Sequence, residues 1–150
     1  MSLSPIDRKI LNGIQEDIPL CSKPFKTISD RLGIKESEFL EALKRLKDNG
    51  MIRNFAARVS HKKLGFKSTL IALRVPEDKV EPIAKKIAKC REVTHCYLRD
   101  GEYNLWTVFI CDKEGRQKAF LKKLSKKVGK DNVMNLSTRK QFKLKTKFDL

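Results

Sequence analysis

The stretch Thr94-His95-Cys96-Tyr97-Leu98-Arg99-Asp100-Gly101-Glu102-Tyr103-Asn104-Leu105-Trp106 reads as two strands folded about an Asp-Gly turn, because that dipeptide supplies the positive-φ positions of a two-residue hairpin. The two strands are predicted over 93–100 and 103–111. Upstream, Val80, Ile83, Ala84 and Ile87 recur at helical spacing after Pro76-Glu77-Asp78, and Phe66 to Val75 reads as a preceding strand. Downstream, Phe120, Leu121, Leu124 and Val128 mark a second helix, and Val133 to Phe148 contains a last strand. The order strand, helix, strand, strand, helix, strand is that of a ferredoxin-like βαββαβ domain over residues 61–150. Both helices then lie on one face of a four-stranded antiparallel sheet, and the other face stays open.

Residues 1–60 follow a different pattern. Ile6, Ile10, Leu11 and Ile14 lie on one helical face, and the polar stretch from Asp17 to Lys23, holding Pro19 and followed by Pro24, ends that helix. A short helix from about Phe25 to Leu32 is followed by a turn at Gly33. A third helix puts Phe39, Leu40, Leu43 and Leu46 on its inner face, and Asn49-Gly50 closes it with a left-handed cap. This is a helix-turn-helix, and Met51 to Val59 reads as an extended wing. The fold class is α+β, a winged helix-turn-helix followed by the ferredoxin-like domain.

The chain has a formal net charge of +16, distributed unevenly. Up to Gly50 there are nine basic residues against eight acidic ones, and beyond it 25 against ten. A basic excess of this kind invites a polyanionic partner, yet the helix-turn-helix is close to neutral. The start of its recognition helix carries Glu36, Glu38 and Glu41, which phosphates on either side of a major groove would repel, so DNA binding is disfavoured. Arg53, Arg58, Lys62 and Lys63 remain available for phosphate contacts. Many lysines, among them Lys85, Lys122 and Lys126, suit a solvated helix face, and Lys143, Lys145 and Lys147 alternate with apolar residues, either steering an anion or protecting an edge. No apolar run long enough for a membrane span and no leader pattern occur, so the cytoplasm is the expected location. Cys21, Cys90, Cys96 and Cys111 show no paired metal-ligand spacing and read as reduced thiols.

In a hairpin turning at Asp100-Gly101, Arg99 faces Glu102, Tyr97 faces Asn104, and His95 faces Trp106. Cys96, Leu98, Tyr103 and Leu105 form the other face, apolar enough to lie under the helices. His95, Tyr97, Arg99, Glu102, Asn104 and Trp106 therefore occupy the open face. Rings to stack upon and a guanidinium to bind carboxylate suit a flat anionic ligand. His61 has no such company and reads as a surface loop residue.

The chain resembles the Lrp/AsnC regulators, which join a winged helix-turn-helix to a ferredoxin-like ligand-binding domain. Ile6-Asp7-Arg8-Lys9-Ile10-Leu11, Leu43-Lys44-Arg45-Leu46-Lys47-Asp48-Asn49-Gly50-Met51-Ile52 and Lys63-Leu64-Gly65-Phe66 carry the likeness. The thirteen residues from Thr94 to Trp106 are similar to the hairpin of sirohaem decarboxylases, Lrp-like proteins of alternative haem and haem d1 biosynthesis. The resemblance implies conversion of sirohaem acetate side chains to methyls, giving didecarboxysirohaem, in a pocket between two related subunits. It implies no separate cofactor, the iron tetrapyrrole being the substrate.

Loss of carbon dioxide from a pyrrole acetate leaves carbanion-like density on the methylene, which calls for a cation on the carboxylate and an acid to return a proton. Arg99 suits the first role and His95 the second, with His95 alternatively a ligand to the substrate iron. Tyr97 is a secondary proton donor, Trp106 a stacking wall, and Asn104, Glu102 and Arg58 are further substrate contacts. Members of the family often carry a second histidine two residues after the arginine. Gly101 stands there in this chain, and the resemblance implies a paralogous Lrp-like subunit, in a heterodimer, as a source of the missing group, with a homodimer as the alternative assembly. The alternatives are a DNA-binding regulator that senses a small ligand or haem through the same sheet, and a non-catalytic partner of an active paralogue.

Overall fold

The structure, a computed structural model, describes residues 3–15, 17–143 and 147–150. It forms two compact units, one of the residues up to Ala57 together with those from Lys143 onward, the other spanning Arg58–Phe142.

In the first unit, α1 (Pro5–Ile14) starts at a capping box: Ser4 Oγ accepts from the Asp7 amide at 3.1 Å, and the Asp7 carboxylate accepts from the Ser4 amide at 3.0 Å. The second helix, α2 (Pro24–Leu32), ends at Gly33, whose φ of 63° is the left-handed conformation the tight turn into α3 (Glu36–Asp48) requires. Ile10, Ile28, Phe39, Ala42, Leu43 and Leu46 bury one face of each helix in a common core. Leu40, expected inward, is 40% exposed, because the core is reached from positions 39, 42, 43 and 46 and residue 40 turns to the flank.

The expected wing does not form: residues 51–59 contain no strand. Ile52 is buried in the helical core, but Arg53 to Val59 is exposed throughout, and an extended segment without a pairing partner or an apolar face to bury has nothing to hold it in a sheet.

The second unit runs β1 (Lys67–Leu73), α4 (Glu77–Ala88), β2 (Val93–Leu98), β3 (Leu105–Cys111), α5 (Glu114–Val128), a single 3-10 turn at Lys130–Asn132, and β4 (Val133–Ser137). The strands lie in the order β2-β3-β1-β4, every neighbour antiparallel, as the ferredoxin-like reading requires. Ile71, Leu73, Leu105 and Phe109 point from the sheet into the helices, where Val80, Ile83 and Ile87 of α4 and Leu124 of α5 meet them. Phe120 stacks on Phe109 with ring centroids 4.3 Å apart.

The last strand is shorter than expected. It stops at Ser137, whose partner is Thr69, because β1 leaves only two more residues of backbone to pair with. Residues 138–143 and 147–150 carry no strand, and Leu144, Lys145 and Thr146 of the alternating basic stretch lie outside the described residues. Phe148 and Leu150 instead bond along α1. Gln15 exchanges two hydrogen bonds with the Phe148 backbone at 2.9 and 3.0 Å, and Asn12 Nδ2 donates to the Leu150 carbonyl at 3.0 Å. Among the described residues no helix is long and apolar enough to cross a membrane.

Candidate functional site

The uncovered face of the sheet is organised in rows, since directly paired residues share a face. One row runs His95, Val108, Leu70, Leu136 across all four strands, and the next runs Tyr97, Trp106, Ala72, Met134. At the β2 edge these rows form an open hollow of about 190 Å³ lined by Leu70, His95, Tyr97, Arg99, Trp106, Thr107 and Val108. Sequence reasoning placed His95, Tyr97, Arg99 and Trp106 together, and the structure brings those four to one hollow. It did not single out Leu70 and Val108, although Leu70 alternates with inward Thr69 and Ile71 and was open to the same period-two argument.

The hairpin differs from the two-residue turn. Arg99 donates its amide to the Asn104 carbonyl at 2.8 Å, so four residues, Asp100 to Tyr103, make the loop. Tyr97 accordingly faces Trp106 rather than Asn104, and His95 faces Val108 rather than Trp106. The register moves by two, an even number, so each side chain keeps its face. Leu98, expected beneath the helices, is 66% exposed at the end of the edge strand.

A bulge at Thr94 aims the histidine. Val93 pairs with Phe109 and His95 with Val108, leaving Thr94 as the extra residue. Val93 and Cys96 both pack against the core, and strict alternation from Val93 would have sent His95 inward as well. Thr94 Oγ1 shares a hydrogen bond of 2.9 Å with His95 Nδ1, Thr107 Oγ1 donates to the His95 carbonyl at 2.8 Å, and the imidazole lies 5.8 Å from the Tyr97 ring. Nδ1 is thereby engaged, and no hydrogen-bond partner of Nε2 occurs among the described residues.

The rest of the loop is committed to the protein. Asn104 Nδ2 donates to the Val75 carbonyl at 2.7 Å and its Oδ1 accepts from the Val75 amide at 3.0 Å. The Glu102 carboxylate pairs with Arg74, Tyr103 Oη donates to the Asp131 carbonyl at 3.2 Å, and Trp106 Nε1 donates to the Tyr103 carbonyl at 2.6 Å. Arg58 is exposed and does not line the hollow, and His61 is exposed. Arg99 lines the hollow and has no acidic partner among the described residues. Burial pushes the Cys96 thiol pKa up, which keeps it a neutral packing group.

A cation, an imidazole, a phenol and an indole on an apolar sheet can hold a flat polycarboxylate and pass it a proton. Residues 63–143 match the AsnC-like ligand binding domain, and residues 7–53 match the Siroheme decarboxylase NirDL-like HTH domain. The chain is 33% identical over 146 residues to the Siroheme decarboxylase alpha subunit of Nitratidesulfovibrio vulgaris, covering 97% of this chain and 82% of that one. It belongs to the sirohaem decarboxylase family. Within that family it also matches the beta subunit of Methanosarcina barkeri, 38% identical over 107 residues, covering 68% of this chain and 70% of that one. The crystal structure of the siroheme decarboxylase NirDL in co-complex with an iron-uroporphyrin III analogue superposes with a TM-score of 0.66 at 30% identity. That match covers 85% of this chain but 42% of NirDL, so the chain spans less than half of that longer sirohaem decarboxylase.

Proposed function

We propose that the chain is a subunit of an enzyme that decarboxylates acetate side chains of sirohaem to methyls, with the hollow beside β2 as its half of the site. The observation that carries this reading is the convergence of His95, Tyr97, Arg99 and Trp106 on one uncovered, largely apolar sheet face. Trp106 and the Leu70–Val108 surface take the macrocycle, and Arg99 pairs with a carboxylate. The carbon–carboxylate bond breaks, carbon dioxide leaves, and the electron pair stays on the methylene carbon. Protonated His95 returns a proton to that carbon, with Tyr97 as the secondary donor. In the same reading Asn104 and Glu102 shape the loop, and Arg58 contacts a more distant carboxylate.

A second subunit completes the site. Ligand pockets that bury their guests enclose roughly 300–1,000 Å³, whereas this hollow has about 190 Å³ and lies open. Leu70, Val108, Met134 and Leu136 extend the same face as an apolar surface for a paralogous Lrp-like chain. Gly101 has φ +114°, a conformation that a histidine adopts only under strain, which favours the partner as the source of any second imidazole. The helix-turn-helix serves as scaffold. Arg45 of its recognition helix is held by Asp7 at 2.6 Å, and Glu36 and Glu38 open that helix. Titrating sirohaem into the protein, alone and mixed with a co-encoded paralogue, while following the absorption bands tests the reading. Binding that is lost in Arg99→Ala supports it; absence of binding in both preparations refutes it.

A further inference from the structure

Arg99 and Glu102 stand three residues apart in one short loop, closed where the Arg99 amide meets the Asn104 carbonyl at 2.8 Å. Opposite charges this close in one loop can form an exposed ion pair. Here they do not. The Glu102 carboxylate is taken by the guanidinium of Arg74, just beyond the end of β1. Arg74 is itself fixed from several sides: Nε donates to Asn132 Oδ1 at 2.7 Å, its amide donates to the Asn132 carbonyl at 2.9 Å, and its guanidinium sits 5.9 Å from the centre of the Tyr103 ring. The two exchanged bonds between Asn104 and the Val75 backbone hold the loop against the same end of β1.

We infer that Arg74 is a positioning residue that captures Glu102 and so keeps the Arg99 guanidinium free for a substrate carboxylate. The ion pair is exposed, with side chains 44% and 66% accessible, and contributes little to stability. Its consequence is a choice of partner. Without Arg74 the Glu102 carboxylate loses its partner and, three residues from Arg99 in the same loop, becomes available to that guanidinium. The inference rests on the proposed role of Arg99, and it also concerns a property of the free protein that can be read without any tetrapyrrole.

The test compares Arg74→Gln, Arg74→Lys and the double variant Arg74→Gln/Glu102→Gln in the full chain. Two readouts are used: the rate of phenylglyoxal modification of Arg99, followed by peptide mass spectrometry, and sirohaem affinity from absorption titration. Arg74→Gln should slow Arg99 modification and weaken sirohaem binding by about three- to fivefold, the scale of one exposed ion pair. Removing the competing carboxylate in the double variant should restore both, and Arg74→Lys, which keeps a cation beside Glu102, should change neither by more than about twofold. If Arg74→Gln leaves Arg99 reactivity unchanged, or if the double variant stays as impaired as the single one, Arg74 is a tether and the inference is wrong. If Arg99 reactivity follows the predicted order while wild type binds no sirohaem, the proposed function falls and the charge capture stands.

Discussion

Tyr97 lies directly opposite Trp106 across β2 and β3, both side chains on the face of the sheet that the helices leave uncovered. The pair sets a ring wall beside the Arg99 guanidinium, and Trp106 is locked by its bond to the Tyr103 carbonyl at 2.6 Å. An aromatic contact contributes about 0.5–1.5 kcal/mol beyond burial of its area. Trp106→Ala should therefore weaken sirohaem binding by about tenfold. Trp106→Phe should keep part of the affinity, and absorption titration of the two variants checks the order.

His95 and Arg99 carry different roles and should fail differently. His95→Ala should lower kcat by about 10²–10⁴ while leaving affinity within a few-fold, as expected for a lost proton donor. Arg99→Ala should raise KM, and Arg99→Lys should recover only part of it, since an ammonium lacks the planar fork. Steady-state kinetics with sirohaem, run with circular dichroism to verify the fold, separate the two.

The bulge at Thr94 makes a sharper prediction. Deleting Thr94 removes the extra residue and restores regular pairing, with Val93 still opposite Phe109 and His95 still opposite Val108 on the uncovered face. The deletion variant should therefore stay folded by circular dichroism and keep the histidine in the hollow, losing only the Thr94 contact to His95 Nδ1. Thr94→Val keeps the bulge but removes the 2.9 Å bond to His95 Nδ1, so it should lower turnover by about two- to tenfold while Tm stays within a few degrees.

Asp7 ties the helix-turn-helix to acid stability. Burial works to raise its pKa, but hydrogen bonds from Ser4 and Arg45 outweigh burial and hold the carboxyl below its ordinary value of 3.8. The depressed value means that the stabilisation is fully present above the unfolded-state pKa and is lost as pH falls through the folded-state one. Asp7→Asn should cost about 1–2 kcal/mol near neutral pH. The gap in Tm between wild type and variant should close as the pH is taken below about 4.

Much of this site was legible because a β-strand has a period of two. The observed hairpin register differs from the expected one by two residues, and since two is even, His95, Tyr97 and Trp106 share one face, with Arg99 lining the same hollow. The commitments of Glu102 and Asn104 were not legible, because Arg74, Val75 and Asn132 are far away in the chain and nothing local marks them as partners. The bulge escaped for a related reason: Val93 and Cys96 both pack inward, which shows only once β3 lies beside them. The helices of the first unit followed from their apolar spacing and from Gly33. The wing failed because its sequence is extended in character yet has no partner strand.

Anaerobic incubation with sirohaem followed by mass spectrometry of the tetrapyrrole tests whether this sheet face removes its carboxylates. With its paralogous subunit present, the protein should convert sirohaem to species lacking one and then two carbon dioxide units, and His95→Ala should stop that loss. Unchanged sirohaem in the presence and absence of the paralogue, with salt-sensitive binding of the protein to its own upstream DNA, would rule out decarboxylation at this site.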